Sequence, residues 1–490
     1  MIKITCNDTV YTYNLYHICK AFFPNEEIVQ NVDDKQEPLV KLMLSGGSCF
    51  SVAEGSSEND QSSIFEVFVS DIEEGLDRQA KKMRVTKIVY DFLTRQSGRH
   101  LAWGMLTGVR PTKLAMQKIE SGMNEEESKT FLIEKYGLSD EKAALAVDIA
   151  VREKKLLSCL DYKDGFSLYA GIPFCPSICS YCSFSSSPIA LWREKTDAYL
   201  EALCKELEAI ARITKGKKLN TIYIGGGTPT TLEAEQLEKL LATIDRNFSF
   251  EHLLEYTIEA GRPDSITEEK LKVMKNHPVT RISVNPQTMQ QKTLDVVGRK
   301  HTVQDVKDIF KMARELGFDN INMDLIAGLP GETAEDMLDT LRQIDELSPD
   351  SLTVHSLAIK RAARMNREEQ GVNLGEEIAQ MVEDSAECAK RLDLLPYYLY
   401  RQKNIAGNFE NVGYAKVDKA GIYNILIMEE KQTIYAAGAG ATTKIVLPEK
   451  ICLDNHKETN LIRIENVKDI TEYINRIDEM IARKGEKTWH

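Results

Sequence analysis

The chain has 490 residues, with 62 Lys and Arg against 75 Asp and Glu for a formal net charge of −13, and 42% of it is hydrophobic. This acidic balance argues against a protein whose main partner is a phosphate backbone, which needs a basic face to release counterions. There is no run of about 18 apolar residues and no basic-then-apolar leader, so neither a membrane span nor classical secretion is expected.

Length gives a prior of roughly three domains, or about two if one is a barrel-type α/β unit. Residues 1–70 contain short alternating stretches at Thr9 to Tyr13, Leu39 to Leu44 and Ser63 to Ser70, separated by Gly, Ser, Glu and Asn. These predict a small strand-containing module. From Asp77 to Leu157 the apolar spacing becomes helical, at Ile88, Phe92 and Leu93, then Leu132 and Ile133, then Ala143 to Val151.

After Lys163 β-branched runs alternate with amphipathic stretches. The predicted strands are Ser167 to Ile172, Thr221 to Gly225, Leu254 to Ala260, Thr280 to Asn285, Ile321 to Ala327 and Ser351 to Ser356. The predicted helices between them are Arg193 to Arg212, Glu233 to Arg246, Thr267 to Asn276, Val303 to Leu316 and Thr333 to Leu347. Alternation of this kind predicts a parallel sheet with helical crossovers, and six units rather than eight predict an incomplete barrel. Beyond Ala358, residues 376–394 read as a helix, and Tyr397 to Tyr400, Gly421 to Met428 and Thr433 to Ala437 read as antiparallel strands. Leu461 to Arg483 reads as a terminal amphipathic helix. The expected division is an α+β amino-terminal extension at 1–160, a partial (β/α)6 barrel at 164–360 and a smaller α+β region at 361–490.

Of ten cysteines, seven are scattered (Cys6, Cys19, Cys49, Cys159, Cys204, Cys388 and Cys452), too sparse for a disulfide scaffold, which points to a reducing compartment. The other three fall in Cys175-Pro-Ser-Ile-Cys179-Ser-Tyr-Cys182, directly after the first predicted barrel strand. Three thiolates on one loop suit zinc or an iron–sulfur centre. Structural zinc asks for four ligands, and no His or second Cys pair lies nearby in sequence. A 4Fe–4S cluster on three thiolates leaves one iron open.

Gly225-Gly226-Gly227-Thr228-Pro229-Thr230 follows the second strand, where a glycine run lets a ligand approach the backbone. A tight turn before a helix near Leu232, capped by Thr230 or Thr231, is the plain alternative. Barrel chemistry sits at the carboxyl ends of strands. Glu259 closes the third strand, Gln287 follows the fourth and Asp324 lies near the end of the fifth. Taken singly, Glu259 and Asp324 suit helix caps, Arg299 a surface ion pair and Gln287 a loop. His277, His301 and His355 read as structural residues.

Cys-x3-Cys-x2-Cys after the first strand of an αβ barrel resembles the radical S-adenosylmethionine (SAM) enzymes. Tyr169-Ala-Gly-Ile-Pro-Phe-Cys175, Gly225 to Thr230, Glu259, Arg281 to Gln287, Arg299 and Asp324 to Pro330 narrow the resemblance to the oxygen-independent coproporphyrinogen III oxidases, in the longer branch with an amino-terminal extension. The resemblance runs from Tyr169 to Ala358, continues more loosely through Tyr397 to Gly413, and leaves 1–160 without a transferable role. It implies Cys175, Cys179 and Cys182 as ligands of a 4Fe–4S cluster. It implies Tyr169, Tyr181, Gly226, Gly227, Thr228, Glu259, Gln287, Arg299, Asp324 and Ala358 as contacts to one or two molecules of S-adenosylmethionine, with Arg299 able to clamp a carboxylate and Asp324 to accept ribose hydroxyls.

The activity so implied is oxidative decarboxylation of two propionates of coproporphyrinogen III to vinyl groups, in haem biosynthesis. It requires a tetrapyrrole substrate, an electron donor such as flavodoxin or ferredoxin, and an electron acceptor. The expected protein is a cytoplasmic monomer with no nucleic-acid partner. Two departures stand out: Phe184 occupies the place of a fourth cysteine found in some members, and Gly171 that of a common His. Phe184 is shared with related haem chaperones, but their late His-Asn-x-x-Tyr motif is absent here. A radical methyltransferase acting on haem is the third alternative.

Overall fold

The computed structural model describes residues 2–23, 26–33, 40–45, 62–67, 75–108, 110–357, 374–401, 409–452 and 458–485. It separates into two compact units, Met1–Val151 with Arg401–Phe409, and Arg152–Tyr400 with Glu410–His490.

In the first unit β1 (Ile2–Cys6), α1 (Thr9–Phe22), β2 (Ile28–Val32), β3 (Val40–Ser45) and β4 (Ser62–Val67) are followed by α2 (Arg78–Ser97), α3 (Thr112–Glu120), α4 (Glu125–Tyr136) and α5 (Asp140–Leu156), the last crossing into the second unit. The sheet order is β2-β1-β3-β4. Thr9 to Tyr13, expected as extended chain, instead opens α1. The Asp8 carboxylate accepts the Val10 N–H at 2.8 Å, and Tyr11, Leu15, Ile18 and Phe22 recur on one buried face. Capping and that 3.6-residue period outweigh the β propensity of Thr, Val and Tyr.

The second unit holds β5 (Gly165–Ile172), the short pair β6 (Phe174–Cys175) and β7 (Ser187–Pro188), α6 (Thr196–Ile213), β8 (Lys218–Gly226), α7 (Ala234–Asn247), β9 (Glu255–Glu259), α8 (Glu268–Asn276), β10 (Arg281–Ser283), α9 (Gln291–Val296), α10 (Val303–Glu315), β11 (Ile321–Ala327), α11 (Ala334–Leu347) and β12 (Ser351–Ser356). The six strands β5, β8, β9, β10, β11 and β12 are sequential parallel neighbours. This is the singly wound order of an open (β/α)6 barrel.

The remainder is α12 (Leu374–Arg391), β13 (Leu395–Tyr400), β14 (Asn411–Ala415), α13 (Ile422–Glu429), β15 (Thr433–Ala437), β16 (Thr442–Cys452), β17 (Glu458–Glu465), α14 (Ile470–Asn475) and α15 (Ile477–Gly485). Its strands extend both edges of the same sheet, whose order is β13-β14-β12-β11-β10-β9-β8-β5-β15-β16-β17. β15, expected in an antiparallel arrangement, lies parallel to β5 with Tyr435 opposite Leu168. Gly421 to Met428, expected as a strand, forms α13, since a short continuous apolar run has no period to distinguish the two. Leu461 to Glu465 belongs to β17, and the terminal helix starts only after Asp469 caps Ile470–Asn475.

Register sorts the barrel residues into two faces. Ile224, Ile258, Ile282 and Ile321 are linked from strand to strand, all fully buried. The crossover helices bury complementary stripes, such as Leu200, Leu203 and Leu207 on α6 and Leu237, Leu241 and Ile244 on α7. The alternate positions carry a polar face: Tyr169, Tyr223, Thr257 and Arg281 form one row, and Glu259, Ser283, Asn322 and Ser351 another.

Candidate functional site

The polar face would be costly to bury unless its groups found partners, and toward its base they do. Thr221 donates to Ser167 at 2.7 Å, Thr257 to Glu255 at 2.6 Å, and Arg281 to Ser351 at 3.1 Å. Tyr169, Tyr223 and Tyr423 of α13 stack together, with the Tyr223 and Tyr423 ring centres 4.5 Å apart. Tyr223 donates to Glu259 Oε1 at 2.5 Å, and Glu259 Oε2 accepts the Gly226 N–H at 3.2 Å. The carboxylate at the end of β9 therefore anchors the glycine turn at the end of β8.

That turn lies against the chain entering the cysteine loop. The Gly227 and Thr228 N–H groups donate to the Ile172 and Phe174 carbonyls, both at 2.7 Å. A Cβ at Gly227 would stand 2.5 Å from the Phe174 oxygen, and Gly226 has φ +110°, so both positions require glycine. Thr228 Oγ1 reaches Cys175 Sγ at 3.5 Å. From the other side, the Ser180 N–H donates to the Val297 carbonyl at 3.1 Å and Ser177 Oγ to the Gly298 carbonyl at 3.1 Å. Tyr181 packs on Val297, Ile326, Leu329 and Leu357.

Burial raises the Cys175 and Cys182 thiols above their ordinary value, and the neighbouring thiols add to the rise. A metal centre that binds such thiols takes them as thiolates and releases their protons. Among the described residues no three His, Cys, Asp or Glu side chains converge on one metal-ion position. In an iron–sulfur cluster each thiolate binds a separate iron, so a shared cluster rather than a shared point is what this donor set suits.

On β10, in the loop that follows it and just past α9, several polar atoms lack partners. Ser283 Oγ, Asn285 Oδ1, Gln287 Oε1 and Arg299 Nε are buried and unbonded within the protein. Buried polar groups are ordinarily satisfied, so these atoms are open to a water or a polar ligand. Gln287 adopts φ 70°, unusual for a side-chain-bearing residue. Its N–H donates to the Asp324 carbonyl and its own carbonyl accepts the Ile326 N–H, both at 2.9 Å, which pins it beside β11. Such backbone strain concentrates at functional sites.

The two rim carboxylates differ in charge. Burial pushes Glu259 up to about 7, with Asp324 adding to the rise while the Tyr223 and Gly226 donors restrain it. Burial also works on Asp324, but His355, Asn322 and Arg281 hold it below the usual carboxylate range. His355 Nε2 lies 3.9 Å from Asp324 and its Nδ1 is 3.2 Å from Tyr400 Oη. Near neutral pH Asp324 is thus an anion, while Glu259 lies close to the point where it exchanges its proton.

Arg299, anticipated as a carboxylate clamp, directs its guanidinium to the Gly261 and Asn285 carbonyls at 3.0 and 2.8 Å and to Tyr181 Oη at 3.3 Å. Ala358 lies outside the described residues. Tyr223, Tyr423, Ser283 and Asn285 were not among the expected site residues. Polar residues at alternate positions within β-branched runs, as in Glu255-Tyr-Thr-Ile-Glu259 and Arg281-Ile-Ser-Val-Asn285, were the available signal.

The residues present fit the inferred cofactors: three thiols on one loop, a glycine cradle laced to that loop, and unpartnered polar atoms on the adjoining strand. Comparison with known proteins leads to the same chemistry. The Radical SAM superfamily matches residues 169–344. The oxygen-independent coproporphyrinogen-III oxidase-like protein HemZ of Bacillus subtilis (strain 168) is 38% identical over 442 residues, 88% of this chain and 88% of that protein. The heme chaperone HemW of Lactococcus lactis subsp. lactis (strain IL1403) is 34% identical over 278 residues, 56% of this chain and 69% of its own. The solved structure of coproporphyrinogen III oxidase (HemN) from Escherichia coli, a radical SAM enzyme, matches with a TM-score of 0.52 at 22% identity, over 67% of this chain and 73% of its own; at that identity the likeness concerns the fold.

Proposed function

The chain belongs to the radical SAM family of coproporphyrinogen oxidase-like proteins, and from that premise we propose that it converts coproporphyrinogen III to protoporphyrinogen IX by oxygen-independent oxidative decarboxylation. The cofactors of the family are a 4Fe–4S cluster and S-adenosylmethionine, and Cys175, Cys179 and Cys182 would hold the cluster. When bound, they supply a 5′-deoxyadenosyl radical able to take hydrogen from the propionate carbon next to the ring. Loss of carbon dioxide and one electron from the substrate then leaves a vinyl group. A flavodoxin- or ferredoxin-type donor and an electron acceptor complete the balance. An anaerobic, cytoplasmic setting suits both the radical and the reduced thiols. No helix among the described residues is long and apolar enough to cross a membrane.

The chain's own residues position and shield. Gly226, Gly227 and Thr228 offer a close backbone cradle, Asp324 offers an ionised acceptor for hydroxyl groups, and Asn285 and Gln287 offer unpartnered oxygens. The stacked Tyr169, Tyr223 and Tyr423 line the polar face beside Glu259, where they would help to exclude water from a bound radical. The observation that carries the reading is the near-full-length likeness to the oxidase-like HemZ. The likeness to HemW, together with Phe184 lying 75% exposed two residues after Cys182, favours haem handling as the second reading.

Anaerobic reconstitution with iron and sulfide, followed by reductant, S-adenosylmethionine and coproporphyrinogen III, tests the proposal. Loss of two carbon dioxide units per porphyrinogen by mass supports it. Cofactor cleavage with an unchanged porphyrinogen mass supports haem handling, and a gain of methyl mass on haem would indicate methyl transfer.

A further inference from the structure

The turn after β9, Gly261-Arg262-Pro263-Asp264-Ser265, reaches both loops of the site. Arg262 is 4% exposed. Its Nε and Nη2 grip Asp264 at 2.9 and 2.8 Å. Nη1 donates to the Ser177 carbonyl at 3.2 Å and to Cys179 Sγ at 3.4 Å, and Nη2 donates to Ser177 Oγ at 3.1 Å. The guanidinium plane therefore has a carboxylate on one edge and the cysteine loop on the other. Behind it, Ser265 Oγ donates to the Arg262 carbonyl and meets Thr230 Oγ1, both at 2.7 Å. Buried Lys270 bonds the Thr230 and Ser265 carbonyls at 2.8 and 3.1 Å. The arginine is thus built into the scaffold that also carries the glycine turn.

Reduction of a cluster adds negative charge to it. A buried cation beside a ligating sulfur stabilises that added charge, and hydrogen bonds to the sulfurs act in the same direction. A planar, permanently charged fork can meet Asp264 and the Cys179 sulfur at once, which a lysine cannot. We propose that Arg262 is the positioning residue that raises the reduction potential of the cluster held by Cys175, Cys179 and Cys182, with Asp264 setting both its aim and how much of its charge the cluster feels. This rests on the cluster reading of the site and not on the identity of the substrate.

The test is a potentiometric titration with dithionite, followed by electron paramagnetic resonance, on reconstituted holoenzyme. Arg262→Gln makes reduction at least tenfold less favourable, ~59 mV more negative for a one-electron couple. Arg262→Lys recovers part of that loss. Asp264→Asn, which keeps the cation and removes its counter-charge, makes reduction more favourable by about threefold. An Arg262→Gln protein with full iron content and an unchanged midpoint overturns the proposal. If Arg262→Gln fails to hold iron, Asp264→Asn decides: an unchanged or lowered midpoint overturns it equally. A wild-type chain that takes up no cluster fails at the iron and absorbance assay, before any titration, so that outcome refutes the cluster reading itself.

Discussion

Glu206, on α6, and the side-chain oxygens of Ser283, Asn285 and Gln287, on β10 and in the loop after it, lie in the same unit and are removed from water, but they are satisfied differently. Glu206 Oε1 accepts from Lys484 at 2.6 Å and Asn466 at 2.9 Å, while Oε2 accepts from Tyr473 at 2.6 Å and the Gly438 N–H at 2.9 Å. Ser283, Asn285 and Gln287 each leave a buried oxygen without a partner. The first arrangement is complete within the chain and ties α14, α15 and the turn after β15 to the barrel. The second is incomplete and lies beside the cysteine and glycine loops. A fully paired buried network is complete within the chain, and unpaired oxygens remain available to a water or a polar ligand.

The two regions therefore respond oppositely to mutation. The largest effect belongs to the cluster ligands: Cys175→Ala, Cys179→Ala or Cys182→Ala abolishes 5′-deoxyadenosine formation, while chemical denaturation of the apoprotein changes by no more than about 1 kcal/mol. Lys484→Met does the reverse. It strands Glu206 without its cation and costs about 3–5 kcal/mol in denaturation, with S-adenosylmethionine affinity of the folded fraction unchanged; an equal loss of affinity would erase the distinction.

Glu259 gives an intermediate effect that depends on pH. Its folded-state value is raised by burial to about 7, so its contribution is fully present below the unfolded value and is lost as pH rises through about 7. Glu259→Gln keeps the acceptor for Tyr223 and has no such loss. Its stability relative to wild type therefore climbs between about pH 4.5 and pH 7 by roughly 1–3 kcal/mol, and a pH-independent difference between the two proteins would count against the assignment.

The smallest effect on the fold comes from Asn285→Ala. Removing an oxygen with no internal partner costs less than about 1 kcal/mol of stability, yet weakens S-adenosylmethionine binding about tenfold, ~1.4 kcal/mol. Calorimetry on the reconstituted protein reads the second number and denaturation the first.

The six barrel strands were legible because β-branched runs with amphipathic helices between them leave little choice of architecture, and the cysteine loop was legible from spacing alone. The rest was hidden for identifiable reasons. Thr9 to Tyr13 has β-forming residues but a helix cap before it, and Ile422 to Met428 is apolar without a period. β15 runs parallel because it pairs with β5, more than 250 residues earlier in the chain, a partner no local pattern names. Rim positions after Glu259, Asp324 and Gln287 were visible as strand ends. Arg262 was not, because its role depends on a turn that brings it to Cys179, 83 residues away. Tyr423 likewise reaches Tyr223 only once α13 is formed.

The most direct test of the account is isotopic. Coproporphyrinogen III deuterated at the propionate carbons next to the ring is incubated with reconstituted enzyme, reductant and S-adenosylmethionine, and the 5′-deoxyadenosine is analysed by mass. Hydrogen abstraction from these carbons places deuterium in 5′-deoxyadenosine in step with carbon dioxide loss from the porphyrinogen. Deuterium-free 5′-deoxyadenosine alongside an intact tetracarboxylate would contradict it.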